Sequence, residues 1–67
     1  MDKKQINFLL SLSLELVDCD KATFSDIWRK GVEIYSFYYP GANKFELHSA
    51  GEIATGIGKA IACFRHA

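Results

Sequence analysis

The chain has 67 residues and a mass of 7.5 kDa, and its 8 Lys and Arg residues balance its 8 Asp and Glu residues. That length holds one domain, and a hydrophobic content of 49% is too high for a disordered chain. Without a surplus of basic residues, nucleic-acid binding through a basic surface is disfavoured. The longest apolar run, residues 60–64, is much shorter than the ~18 residues that a membrane span needs, so we expect no membrane segment.

The N-terminal stretch and the cysteines bear on where the protein acts. Lys3 and Lys4 precede a Leu-rich segment, as in a signal peptide, but polar residues interrupt that segment and no cleavage site follows. Cys19 and Cys63 are too few for a disulfide framework. We therefore expect a cytoplasmic protein with free thiols.

The first predicted element covers residues 2–18. Apolar residues alternate with mostly polar ones from Ile6 to Leu16, which is the pattern of a strand. A helix is favoured because Leu and Glu are good helix formers and because Asp2 and Gln5 have capping-box spacing. Such a helix is apolar almost all round, which indicates that a second chain covers part of it.

The second predicted element is a helix over residues 23–39. Its apolar residues recur at about 100° per residue, and polar residues fill the opposite side. Thr23 and Asp26 have capping-box spacing, and Pro40 ends the helix. A hairpin built on residues 32–39 is the alternative, because that stretch is rich in strand-forming residues. The apolar arc contains Phe24, Ile27, Trp28, Gly31, Val32, Ile34, Tyr35, Tyr38 and Tyr39.

The third predicted element is a helix over residues 49–66, with Ser49 as its N-cap and Glu52 completing a capping box. Small residues recur every four positions along it, which allows another backbone to approach closely. This small-residue stripe consists of Ala50, Ala54, Gly58 and Ala62, and the apolar face contains Ile53, Ala54, Ile57, Ala60, Ile61 and Phe64.

A loop is expected over residues 39–48, with Phe45 and Leu47 holding it against the helices. The predicted fold is therefore all-α, a small three-helix bundle that forms a single helical domain over residues 1–67. A chain of this size buries only ~60% of its unfolded surface. Dimerisation through the first helix or the small-residue stripe would complete its core, so we expect a homo-oligomer.

Residues that could perform catalysis or hold a metal lack the required spacing. The glycines between Gly51 and Lys59 fit neither a phosphate-binding P-loop nor the dinucleotide-binding turn of short-chain dehydrogenases, which also needs a preceding strand. Cys63 and His66 form one close pair, whereas zinc modules bring their ligands in two such pairs; Cys19 and His48 are isolated. We expect no cofactor, no metal and no enzymatic activity.

Aromatic residues are the most distinctive feature of the sequence. Phe37 falls on the polar side of the second helix and Tyr39 at its end, so both are predicted to contact another chain. Trp28, Tyr35 and Tyr38 have helical spacing, for which a place in the core is the more common explanation. Together with an adjacent arginine, the set has the composition of a protein-binding hot spot: Phe37, Tyr39, Trp28, Arg29, Tyr35 and Tyr38.

These features predict a small non-enzymatic protein that binds a larger protein partner through an aromatic-rich helical surface and modulates it, most simply by inhibition. Short, neutral chains without catalytic residues are typical of inhibitors and adaptors from phages and mobile elements. The alternative from another class is a dimeric helical DNA-binding regulator, which requires the basic residues to gather on one face. A third interpretation is a structural subunit of a larger assembly.

Overall fold

A computed structural model describes residues 2–18 and 23–65, with the side chain of Arg65 left out. It contains three helices, α1 (Lys3–Val17), α2 (Phe24–Tyr38) and α3 (Lys44–Arg65). The described residues form no strand, so the all-α three-helix bundle is confirmed. The strand alternative for the first segment and the hairpin alternative for the second are wrong.

The first two helices begin where the capping residues predict. The carboxylate of Asp2 accepts a hydrogen bond from the backbone N–H of Gln5 at 2.8 Å. At the start of α2, the Thr23 hydroxyl accepts from the backbone N–H of Asp26 at 3.2 Å, and the Asp26 carboxylate accepts from the backbone N–H of Thr23 at 3.3 Å. Each bond satisfies a backbone donor that has no partner within its own helix.

The third helix begins at Lys44, so the predicted N-cap at Ser49 and the predicted loop over residues 39–48 are wrong. Asn43 and Glu46 form the cap instead. The Asn43 side chain accepts from the backbone N–H of Glu46 at 2.9 Å, and the Glu46 carboxylate accepts from the backbone N–H of Asn43 at 3.2 Å. This reciprocal pair starts the helix one and a half turns before Ser49.

The connection between α2 and α3 is correspondingly short, covering residues 39–43, and its Tyr39–Pro40 peptide bond is trans. Phe45 lies in the first turn of α3 and is 85% exposed, so the prediction that it holds a loop against the bundle is wrong. Leu47, in the same turn, is half-buried.

Helices α2 and α3 approach each other at backbone distance. A methyl group at Gly31 of α2 would collide with the side chain of Ala54 and lie 2.8 Å from the carbonyl oxygen of Ala50. A methyl group at Gly51 would enter the indole ring of Trp28, whose Cε3 atom would be 2.8 Å away. Most of the small-residue stripe is thus buried by α2 of the same chain, which removes it as a surface for self-association.

Helix α1 is held differently, by long apolar side chains. Phe8, Leu12 and Leu16 recur every four residues and are at most 3% exposed. The contact between α2 and α3 is far more extensive than the contact of α1 with either helix. The buried apolar core consists of Phe8, Leu12, Leu16, Ile27, Ala50 and Ala54.

Candidate functional site

The predicted aromatic surface is divided among three places on the molecule. Trp28 lies over α3, Tyr35 and Tyr39 lie near the start of α1, and Phe37 and Tyr38 lie at the outer edge between α1 and α2. The structure therefore brings Phe37 together with Tyr38, but does not bring either of them to Trp28.

Trp28 serves the contact between α2 and α3. Its ring covers Gly51 and meets the His48 ring edge-on, with centroids 4.8 Å apart. The imidazole Nε2 of His48 lies 3.1 Å from a carboxylate oxygen of Glu52, one turn along α3. Trp28 is half-buried, and its ring is occupied by the contact with α3.

Tyr35 and Tyr39 join the three helices. Their rings stack with centroids 4.5 Å apart, and Phe8 of α1 meets Tyr35 edge-on at 5.1 Å. The Tyr39 hydroxyl donates to Asp2 at 3.3 Å, and the Tyr35 hydroxyl donates to Glu46 at 3.4 Å. These bonds connect α2 to the starts of α1 and α3, so both tyrosines have an internal role that explains their positions.

The electrostatics of this tyrosine pair oppose ionisation. Loss of water around the rings raises the pKa of both hydroxyls above 10.0, and the nearby carboxylates of Glu46 and Asp2 raise the pKa further. The Nζ atom of Lys4 lies 5.7 Å from the centre of the Tyr39 ring. The hydroxyls therefore remain neutral donors at physiological pH.

Phe37 is the exposed member of the aromatic set. Its side chain is 79% exposed, and its ring meets Tyr38 edge-on with centroids 5.2 Å apart. Tyr38 is fixed in turn by a 2.9 Å hydrogen bond between its hydroxyl and that of Ser11 on α1. An open groove of about 510 Å³ lies beside the ring, lined by Ser11, Glu33, Ile34, Ser36, Phe37 and Tyr38.

The sequence does not identify Ser11 as a neighbour of Phe37. The contact of Ser11 with this surface depends on how α1 crosses α2, which no local pattern encodes. Arg29 and Glu33 precede Phe37 by eight and four residues, so the three side chains follow one exposed row of α2. The Phe37 surface is defined here as this row together with Ile34 and Tyr38.

Several of the basic residues are matched by nearby acids. Arg29 Nη2 lies 3.5 Å from Asp26 Oδ1, and Lys30 Nζ lies 3.7 Å from Glu15 Oε2. The Thr23 hydroxyl and backbone, followed by the Arg29 guanidinium, hold the pKa of Asp26 below its ordinary value of 3.8. On α3, Lys59 Nζ lies 5.5 Å above the ring of Phe24. Arg29, Lys30 and Lys59 therefore each lie beside an acidic or aromatic side chain.

Only two of the four candidate metal-ligating residues lie within the described part of the chain. Cys19 and His66 lie outside the described residues, whereas Cys63 is exposed on α3 and His48 contacts Trp28 and Glu52. Within residues 2–18 and 23–65, no three metal-ligating side chains come together. Over the same part of the chain, no helix has both the length and the apolar content to cross a lipid bilayer.

Comparison with known proteins gives no assignment. No family model matches the sequence, and neither the search of curated proteins nor that of solved structures gives a match. Arguments about function therefore rest on the surface of this chain alone.

Proposed function

We propose that this chain is a protein-binding module that docks onto a larger protein through the Phe37 surface and inhibits it. The observation that carries the proposal is the 79% exposure of Phe37, a large aromatic side chain in the last turn of α2. Exposed aromatic residues of this kind are enriched where proteins meet, because burying one ring removes a large apolar area from water.

The surroundings of Phe37 favour binding by holding the surface in one shape. Its ring rests against Tyr38, and the hydrogen bond from Tyr38 to Ser11 anchors that ring to α1. An ordered surface loses less conformational entropy when a partner binds, so more of the contact energy appears as affinity. The Phe37 ring therefore has an anchored neighbour and projects as an apolar group that a pocket on the partner can cover.

The charges around Phe37 indicate the chemistry of the partner. Glu33 lies one turn before Phe37 and is exposed, and Arg29 lies one turn earlier, next to Asp26. A complementary surface needs an apolar pocket for the ring, with a basic group on the side that faces Glu33. Docking would cover such a pocket on the larger protein, which is how a small chain without catalytic groups inhibits.

Substitutions of two phenylalanines with similar exposure test this proposal. Phe37→Ala removes the proposed contact, whereas Phe45→Ala removes an 85% exposed ring from another helix. The tagged wild-type protein and both variants are used as baits in extracts of the source cells, with and without nuclease, and retained proteins are identified by mass spectrometry. We expect one stoichiometric protein that survives nuclease, is lost with Phe37→Ala and is kept with Phe45→Ala.

Binding and stability must then be separated. With the retained protein in hand, Phe37→Ala should weaken its binding by at least about tenfold, as hot-spot residues do, with little change in melting temperature. Added wild-type chain should lower the activity of that protein. A large fall in melting temperature with unchanged binding would make Phe37 a structural residue and contradict the proposal. Retention that vanishes with nuclease would favour the dimeric DNA-binding regulator instead.

A further inference from the structure

A second exposed apolar row lies on α1, on the side away from the core. Ile6, Leu10 and Leu14 recur every four residues and are 43%, 58% and 69% exposed. We infer that this row is the contact with a second copy of the chain, in which the two α1 helices pack antiparallel about a two-fold axis near Leu10. The inference goes beyond the proposed function, because the row lies on α1 and Phe37 lies on α2.

Charged residues at the two ends of this row indicate that its partner is a second copy of the chain. Lys3 is exposed in the first turn of α1, and Asp18 is exposed at its C-cap. Within the described part of the chain, neither side chain forms an ion pair, whereas the nearby Glu15 pairs with Lys30 and Lys4 lies over Tyr39. Among residues 2–18 and 23–65, the row therefore has one basic end and one acidic end whose charges form no ion pair.

These charges have the wrong sign for their own helix. A helix N-terminus carries partial positive charge and its C-terminus partial negative charge, so acids are favoured in the first turn and bases in the last. The Asp2 carboxylate caps the start of α1, but the first turn itself contains no acid and the last turn no base. An antiparallel neighbour removes this mismatch, because it brings the negative helix end to Lys3 and the positive helix end to Asp18.

The spacing fits a symmetric antiparallel pair. With the axis at Leu10, Ile6 faces Leu14 of the second copy, and Leu10 faces its counterpart. At 1.5 Å per residue, Lys3 and Asp18 lie about 10 Å and about 12 Å from Leu10, in opposite directions. At 100° per residue both lie on the same side of the row, so Lys3 of each copy comes level with Asp18 of the other. A parallel pair would instead bring like charges together.

Oligomeric state is the first test. Sedimentation equilibrium over a dilution series should show a monomer–dimer equilibrium for the full chain. Leu10→Asp places two carboxylates at the axis and should weaken the dimer on the order of 100-fold, since like charges facing each other in an interface oppose association. Phe45→Asp, at an 85% exposed position on α3, should leave the dimer unchanged. Helical circular dichroism checks that each variant is folded.

Charge reversal tests the orientation. Lys3→Glu and Asp18→Lys should each weaken the dimer, because each creates two like-charge contacts, and the double variant should restore it. A monomer at all concentrations, or a dimer that resists Leu10→Asp, would overturn the inference. A double variant no better than the single ones would overturn the antiparallel arrangement. If a variant no longer dimerises but still binds the larger protein as the wild type does, the function proposed for Phe37 is unaffected.

Discussion

The two interfaces of this small bundle are built in different ways. Helices α2 and α3 meet through Gly31, Ala50 and Ala54, whose small side chains let the backbones come close. Helix α1 is held by the long side chains of Phe8 and Leu12. Small residues fix one crossing geometry and tolerate no added atoms, whereas long apolar side chains contribute burial energy but leave much of a helix uncovered. The close contact between α2 and α3 sets the crossing geometry of those two helices. The packing of α1 leaves its outer apolar row exposed, so that another chain can cover it.

The largest expected effect comes from breaking the α1 interface. Leu12 is fully buried, so Leu12→Ala should lower the free energy of unfolding by about 2–5 kcal/mol through lost burial and the cavity left behind. Urea denaturation of dilute protein measures the change. The matched control is Phe45→Ala, which should change stability by less than about 0.5 kcal/mol at its exposed position. Similar losses of unfolding free energy for Leu12→Ala and Phe45→Ala would contradict the assignment of Leu12 to the core.

Adding a methyl group tests the α2–α3 interface. Gly31→Ala should cost about 1–3 kcal/mol by overpacking against Ala54 and the Ala50 carbonyl, less the gain in helix propensity. Gly56→Ala meets no atom within 4 Å and should stabilise the protein by up to about 1 kcal/mol. We expect the melting temperature to fall with Gly31→Ala and to rise with Gly56→Ala. If Gly31→Ala also stabilises, the close approach of the two helices is wrong.

The start of α3 offers a smaller effect. Asn43→Ala removes the cap of this helix and should cost about 1 kcal/mol, because the backbone N–H of Glu46 loses its acceptor. Ser49 lies within the helix and is exposed, so Ser49→Ala should be nearly neutral. Denaturation curves for the two variants compare the observed helix start with the one that the sequence suggests. A larger loss of stability with Ser49→Ala than with Asn43→Ala would indicate that Ser49, and not Asn43, caps the start of α3.

The smallest expected effect concerns pH. The pKa of Asp26 is lowered in the folded protein, chiefly by its hydrogen bonds with Thr23, so the folded state binds this proton less readily than the unfolded state. The resulting stabilisation is present above the unfolded pKa near 3.8 and is lost as the pH falls through the lower folded value. Asp26→Asn should flatten this part of the stability–pH curve, measured by urea unfolding. An unchanged curve would show that the cap does not depend on charge.

The sequence predicts three helices because their apolar arcs are local signals, and the capping residues of α1 and α2 also mark where those two helices begin. The alternation from Ile6 to Leu16 is misleading for a physical reason. In a helix, a period of two separates into rows of every fourth residue, one containing Phe8 and Leu12 and the other containing Leu10 and Leu14. The first row is buried and the second exposed. The strand-like pattern therefore encodes a helix with two apolar faces.

Other features could not be predicted because they depend on contacts between helices or on a choice between similar signals. Ser49 with Glu52 and Asn43 with Glu46 have the same capping-box spacing, and only the second pair forms a cap. The small-residue stripe correctly indicates close backbone approach, but its partner is Gly31 of the same chain. Phe37 is exposed, as its position on the polar arc predicts. Its contact with Tyr38 and the hydrogen bond between Tyr38 and Ser11 follow instead from the packing of α1 on α2.

Hydrogen exchange of backbone amides at two protein concentrations tests the central claim, that α1 is the helix left for a second chain to cover. In dilute solution, amides of α2 and α3 around Gly31 and Ala54 should be the best protected, and those of α1 should exchange sooner. Raising the concentration should increase protection in α1 relative to the other two helices. Protection of α1 that equals that of α2 and α3 in dilute solution and does not respond to concentration would contradict the account.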